Sequence, residues 1–171
     1  MVALALSVLL IPCTSAHAAT PRTLVAKIER VSDGETFVAI AGNGTKLRIR
    51  LLGIDAPEVA HGPRPGRPYG QETRDYLARL IGGRTVRVET YGYDGYERIL
   101  AVVFLGPINV NVELVEQGLA EVYRGAPCMA YCRDLRVAEL RAKRDRVGMW
   151  AQREKYESPA AFRKRTKIQG D

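Results

Sequence analysis

Cysteine and histidine are scarce in this chain, which has three of the first and two of the second among 171 residues, together with a single tryptophan. Charge is also absent from its start, since residues 1–18 carry no charged side chain. Val2 to Pro12 is an apolar run, too short to span a bilayer comfortably. Ala16-His17-Ala18 fits a small-residue cleavage site before Ala19. Residues 1–18 therefore read as a cleaved export signal, which predicts a secreted or periplasmic protein with no membrane anchor in its mature form. Cleavage removes Cys13 and His17 and leaves Cys128, Cys132 and His61. A structural zinc site takes four ligands, so this remainder argues against zinc. An even pair of cysteines in an exported protein favours a Cys128–Cys132 disulfide. Its C-x-x-x-C spacing closes a very small loop and would pin local structure more than global stability. No internal repeat is present.

The rest is one domain's worth of chain, long enough for a real core. The net charge is +7, and it is unevenly placed. Residues 19–132 carry 14 Lys and Arg against 13 Asp and Glu, whereas residues 133–167 carry 12 against 5. The surplus therefore sits in the C-terminal helix and tail. Such a stripe suits a polyanion through counterion release; a solvated helix face and a basic tail that aids solubility fit the charge equally well. The domain reading is 1–18 signal, 19–150 folded domain, 151–171 basic tail.

Three strands come first. Leu24–Val31 and Glu35–Ala41 flank the tight-turn signal Ser32-Asp33-Gly34, and Gly42-Asn43-Gly44 turns the chain into Thr45–Leu52. Three prolines and two glycines in His61–Pro68 exclude helix and strand there, so Val59–Pro68 reads as a mobile surface loop, with Arg64 and Arg67 solvated and His61 a bystander. Tyr69–Ile81 is an amphipathic helix closed by Gly82-Gly83. Strands follow at Arg84–Tyr91 and Tyr96–Leu105, then a helix at Val110–Gln117, a short extended piece at Leu119–Tyr123, and a basic helix at Leu135–Val147 with Leu135, Ala138, Leu140 and Ala142 partly on one face. Trp150 packs over the core or stacks on a base. Three strands in meander, a bridging helix, and two more strands are the order of a five-stranded OB barrel, so the predicted class is α+β, mainly β, with three helices. Fold alone does not give function.

The chemistry concentrates at Arg50-Leu51-Leu52-Gly53-Ile54-Asp55-Ala56-Pro57-Glu58. Leu47, Ile49 and Leu51 alternate with Lys46, Arg48 and Arg50, so the apolar set enters the core and Arg50 projects to the other face. Pro57 then ends the strand. A guanidinium grips phosphate with a planar fork of donors. One carboxylate can bind a hard cation and another can orient or deprotonate a water. On these nine residues alone a solvated ion-pair cluster is the better reading, since surface ion pairs are common and weak.

With these pieces assembled, roughly residues 24–150 resemble the staphylococcal (micrococcal) nuclease family, or thermonucleases. Ser32-Asp33-Gly34-Glu35-Thr36 is similar to its D-G-D-T turn, with Glu35 where aspartate is usual. Arg50 to Glu58 is similar to its R-L-x-G-I-D-A-P-E signature, and Tyr69-Gly70-Gln71-Glu72 opens the first helix in the family manner. Asp94-Gly95-Tyr96-Glu97-Arg98-Ile99-Leu100-Ala101 resembles its D-x-Y-G-R-x-L-A segment, with Glu97 where glycine is common; Asn111 and Leu114 to Ala120 resemble its N-x-x-L-V-x-x-G-L-A helix. The resemblance implies a Ca²⁺-dependent phosphodiesterase acting on DNA and RNA, single-stranded or denatured by preference, with little sequence specificity, as a monomer. It implies that Arg50 and Arg98 stabilise the phosphate transition state, that Glu58 orients or deprotonates the attacking water, that Glu35 and Asp55 bind Ca²⁺, and that Tyr96 and Tyr123 line the nucleotide site. The competing reading is a non-catalytic OB-type module that binds single-stranded nucleic acid by stacking and charge. Glu58 discriminates, because a binder has no use for a carboxylate in that turn.

Overall fold

A computed structural model describes residues 21–63, 65–125 and 131–168. The segment read as a leader, Arg64 and Cys128 lie outside the described residues, and with Cys128 the expected disulfide; Cys132 opens the third helix.

Strands β1 (Arg22–Val31), β2 (Thr36–Ala41) and β3 (Lys46–Leu51) form an antiparallel meander. Its second turn works because Gly44 takes a φ of 83° and Asn43 Oδ1 accepts the Thr45 N–H at 3.1 Å. A two-residue strand, β4 (Ile54–Asp55), leads to helix α1 (Gly70–Ile81), then β5 (Thr85–Tyr93) and β6 (Ile99–Leu105). β5 pairs with β1 and β6, and β6 closes on β3 in parallel, Arg50 facing Leu100. The sheet is therefore a closed five-stranded barrel, as the element order predicts. β7 (Ile108–Asn109) and helix α2 (Val110–Glu116) follow, and β8 (Glu121–Val122) pairs with β4. Helix α3 (Cys132–Asp145), a kinked 3₁₀ segment over Gly148–Lys155 and helix α4 (Pro159–Ile168) complete the chain.

Alternation on β3 is as the sequence requires: Ile49 and Leu51 are buried and Lys46 and Arg48 exposed. Phe37, Leu77, Ile81, Val88 and Leu114 fill the same core, where each large side chain contributes about 1.5–3 kcal/mol. One buried polar group ties the barrel to α2. Asn111 Oδ1 accepts the Val103 N–H at 3.0 Å, and its Nδ2 donates to Leu52 O at 2.9 Å and Ala101 O at 3.2 Å. These bonds satisfy the Leu52 carbonyl at the β3–β4 corner and the Val103 N–H and Ala101 carbonyl of β6.

Three expectations are corrected. Arg67 is buried, because its segment turns back onto the barrel and its N–H donates to Glu58 O at 2.8 Å. Leu140 is 67% exposed; the α3 face that packs inward is Leu135, Ala138, Glu139 and Ala142. The basic tail contains a fourth helix. Ser158 Oγ accepts the Ala161 N–H at 3.1 Å as an N-cap, Pro159 fills the first turn, and Phe162 is buried.

Candidate functional site

Two turns and two strand ends meet at one edge of the barrel. The Asp33–Thr36 turn is held by the Glu35 N–H donating to Asp33 Oδ1 at 2.9 Å and by the Ser32 N–H donating to Thr36 O at 2.9 Å. Gly34 is required there: a Cβ at this position would lie 2.7 Å from Thr73 Cγ2 and 2.8 Å from the Ala56 side chain. The close approach sets Glu35 against the β4 turn, where its Oε2 accepts the Ala56 N–H at 3.1 Å. Its Oε1 forms an ion pair with Arg50 Nη1. Arg50 Nη2 lies 4.0 Å from Asp55 Oδ1. Glu35, Arg50 and Asp55 are thus brought together.

Arg98 arrives from the turn before β6. The Asp94 carboxylate accepts the backbone N–H groups of Tyr96 and Arg98 through Oδ1, and the Arg98 side chain through Oδ2 at 2.7 Å. Glu97 sits in the left-handed region, φ 59°, which is why glycine suits that position, and it is Asp94 that pairs with Arg98. Arg98 Nη1 lies 3.5 Å from Thr36 Oγ1, and Thr36 faces Arg50 across the β2–β3 ladder. Both arginines therefore serve the same edge. Tyr96 is 74% exposed beside them, with the Arg98 guanidinium 5.2 Å from its ring centre.

Glu58 follows Pro57 and is partly buried. Burial lifts its carboxyl above the ordinary carboxylate value, against its own backbone N–H and the charges of Arg163 and Arg67. Its Oε2 lies 3.9 Å from Arg67 Nη1 and is buried without a hydrogen-bond partner among the described residues. Burial likewise pushes Glu35 up to about 8, against the pull of Arg50 and with help from the neighbouring Asp55 and Asp33 charges. Tyr123 lies across the β4–β8 pair, its N–H donating to Gly53 O at 2.9 Å, and it lines a cleft of about 650 Å³ with Asp55, Glu121 and Arg163.

Arg163, from α4, is the residue sequence reasoning missed. Its Nη1 donates to Asp55 Oδ1 at 2.9 Å and to Glu58 Oε1 at 2.8 Å, and its Nη2 to Asp55 Oδ2 at 2.7 Å. The available signal was the Ser158-Pro159 helix start, without an apolar stripe strong enough to make the tail read as packed.

No cluster of three or more His, Cys, Asp or Glu side chains suited to a metal occurs among the described residues. Glu35 and Asp55 nevertheless fit a hard cation in donor type. They are neighbouring buried carboxyl groups, the Asp55 charge helping to raise Glu35, and Ca²⁺ takes its remaining ligands from backbone carbonyls and water.

The family model described as staphylococcal nuclease homologue matches residues 48–152. Similar proteins include "Probable endonuclease LCL3" of Phaeosphaeria nodorum, 41% identical over 128 residues, covering 71% of this chain and 42% of the relative. The protein of the same name from Pyricularia oryzae is 32% identical over 172 residues, covering 84% of this chain and 67% of the relative. That from Clavispora lusitaniae is 30% identical over 171 residues, covering 84% and 73%. The chain thus spans between about two fifths and three quarters of the length of these relatives. With the match to most of the folded region and the closed barrel beneath it, this chain belongs to the staphylococcal nuclease homologue family.

Proposed function

We propose that this protein is a Ca²⁺-dependent nuclease that hydrolyses phosphodiester bonds in DNA and RNA with low sequence specificity. The observation that carries the reading is the convergence of Arg50 and Arg98 on one barrel edge beside the carboxylates of Glu35, Asp55 and Glu58. The names of its relatives, probable endonucleases, support it.

A phosphodiester anion repels a nucleophile, so positive charge must offset it before water attacks. Arg50 and Arg98 supply two forks of donors for the phosphoryl oxygens, and each is fixed by a carboxylate, Glu35 and Asp94 respectively. Glu58 supplies the carboxylate for an attacking water; its buried Oε2 takes no hydrogen bond among the described residues, and Arg163 holds its Oε1. Glu35 and Asp55 would hold the cation, which lowers the energy of the developing negative charge when bound. Tyr96, exposed next to Arg98, offers a face for a base, and Tyr123 lines the adjoining cleft.

Export in a cleaved, monomeric form with the Cys128–Cys132 disulfide belongs to the same proposal. It rests on the leader-like composition of residues 1–18 and the even cysteine pair that cleavage leaves. The activity is tested by incubating the purified protein with single-stranded DNA and RNA oligonucleotides, with Ca²⁺ or with excess chelator. Ca²⁺-dependent shortening of both is expected. Tight, salt-sensitive binding without shortening under any divalent cation would favour the binding module instead.

A further inference from the structure

The carboxylates proposed to serve cation and water are both engaged by a residue outside the 48–152 family match. Asp55 is 1% exposed, and a carboxylate so buried needs a countercharge. Arg163 provides it with a fork that takes both Asp55 oxygens and reaches Glu58 as well. Ca²⁺ coordinates carboxylate oxygens at about 2.3–2.6 Å. A guanidinium nitrogen 2.7–2.9 Å from the same two oxygens is therefore a competing cation at short range.

The helix that carries Arg163 is short, with few apolar anchors among the described residues. α4 has ten residues, and an isolated helix of about that length is marginal in water. Its buried residues among those described are Pro159 and Phe162, and the guanidinium groups of Arg67 and Arg165 lie 5.6 and 5.1 Å from the Phe162 ring centre. Lys164 and Arg165 are exposed, and Arg165 pairs with Glu157 on the surface, which adds little. The chain just before α4 is held more firmly: the Tyr156 hydroxyl donates to Glu121 Oε2 at 2.5 Å, and its ring lies 4.5 Å from that of Trp150. A release point at Glu157-Ser158 follows from that contrast.

We propose that α4 is an autoinhibitory strap, in which Arg163 acts as a built-in cation on Asp55 and Glu58 and is displaced when a divalent cation binds. The inference rests on the proposed reading of Asp55 as a cation ligand. Displacement would also free the base candidate Glu58 and open the cleft that Arg163 lines. By reciprocity, whatever Arg163 costs the cation, the cation costs the strap.

Calorimetric titration of the full chain with Ca²⁺, comparing wild type, Arg163→Gln and Lys164→Gln, tests this. Both substitutions remove one positive charge from α4, but only the first removes the contact. Arg163→Gln should tighten Ca²⁺ binding about tenfold or more, the equivalent of the charge-assisted hydrogen bonds lost, and Lys164→Gln less than about twofold. Hydrogen exchange of the α4 amides in the wild type should accelerate when Ca²⁺ is added. Equal or weaker binding by Arg163→Gln, or α4 exchange that slows with Ca²⁺, would overturn the strap. Absence of Ca²⁺ binding in all three proteins would overturn it together with the cation half of the nuclease reading. Normal Ca²⁺ binding without cleavage would count against the nuclease reading alone.

Discussion

The Arg98 side chain is held by Asp94: Nε and Nη2 each lie 2.7 Å from Oδ2, while the other carboxylate oxygen caps the backbone of the same turn. Burial would raise the Asp94 carboxyl, yet the Arg98 hydrogen bonds prevail and hold it below its ordinary value. Asp94 is therefore a positioning residue. Asp94→Ala should leave the barrel folded and lower the cleavage rate about tenfold through a misplaced Arg98. Steady-state kinetics should show the loss in kcat, with thermal melting reporting that the fold persists. An unchanged kcat would mean that Arg98 holds its place without Asp94.

Asn111 makes a second prediction, on stability. Asn111→Leu is close in size but leaves the Val103 N–H and the Leu52 and Ala101 carbonyls with lost partners in the core. Urea unfolding should show a loss of about 3 kcal/mol. A loss below about 1 kcal/mol would mean that those groups rebond elsewhere.

Glu139 gives a pH dependence. Its carboxylate sits beneath β8, accepting the Val122 N–H at 2.9 Å and pairing with Lys143 at 2.8 Å and Arg124 at 3.0 Å. Burial opposes ionisation, but Lys143, Val122 and Arg124 together hold its pKa below the ordinary 4.5. A carboxyl lowered on folding contributes stability above its unfolded pKa and loses it as pH falls through the folded one. Glu139→Gln should therefore cost about 1–2 kcal/mol at pH 7. The difference from wild type should shrink as pH drops below 4.5. Parallel denaturant titrations would check this, and a gap that widens in acid would contradict it.

Period-two alternation made the barrel legible, because Ile49 and Leu51 can be buried together only if Arg50 points away from the core. Turn chemistry made the hairpins legible through Asn43 and Gly44. The pairing of β3 with β6, which brings Arg98 near Arg50, is a long-range contact that no local pattern encodes. Arg67 was hidden because a Pro- and Gly-rich segment reads as solvent-exposed whether or not it folds back. Arg163 was hidden for a related reason. Its segment is polar and basic, and one phenylalanine on a short helix leaves almost no periodic signal.

The central claim is that Arg50 and Glu58 form a hydrolytic site. Its most direct test is Ca²⁺-dependent hydrolysis of heat-denatured DNA by wild type, Arg50→Ala and Glu58→Gln, with circular dichroism to establish that all three are folded. The account predicts calcium-dependent cleavage by the wild type and a loss on the order of 10²–10³ in rate for each variant. Folded variants that cleave at the wild-type rate would contradict it.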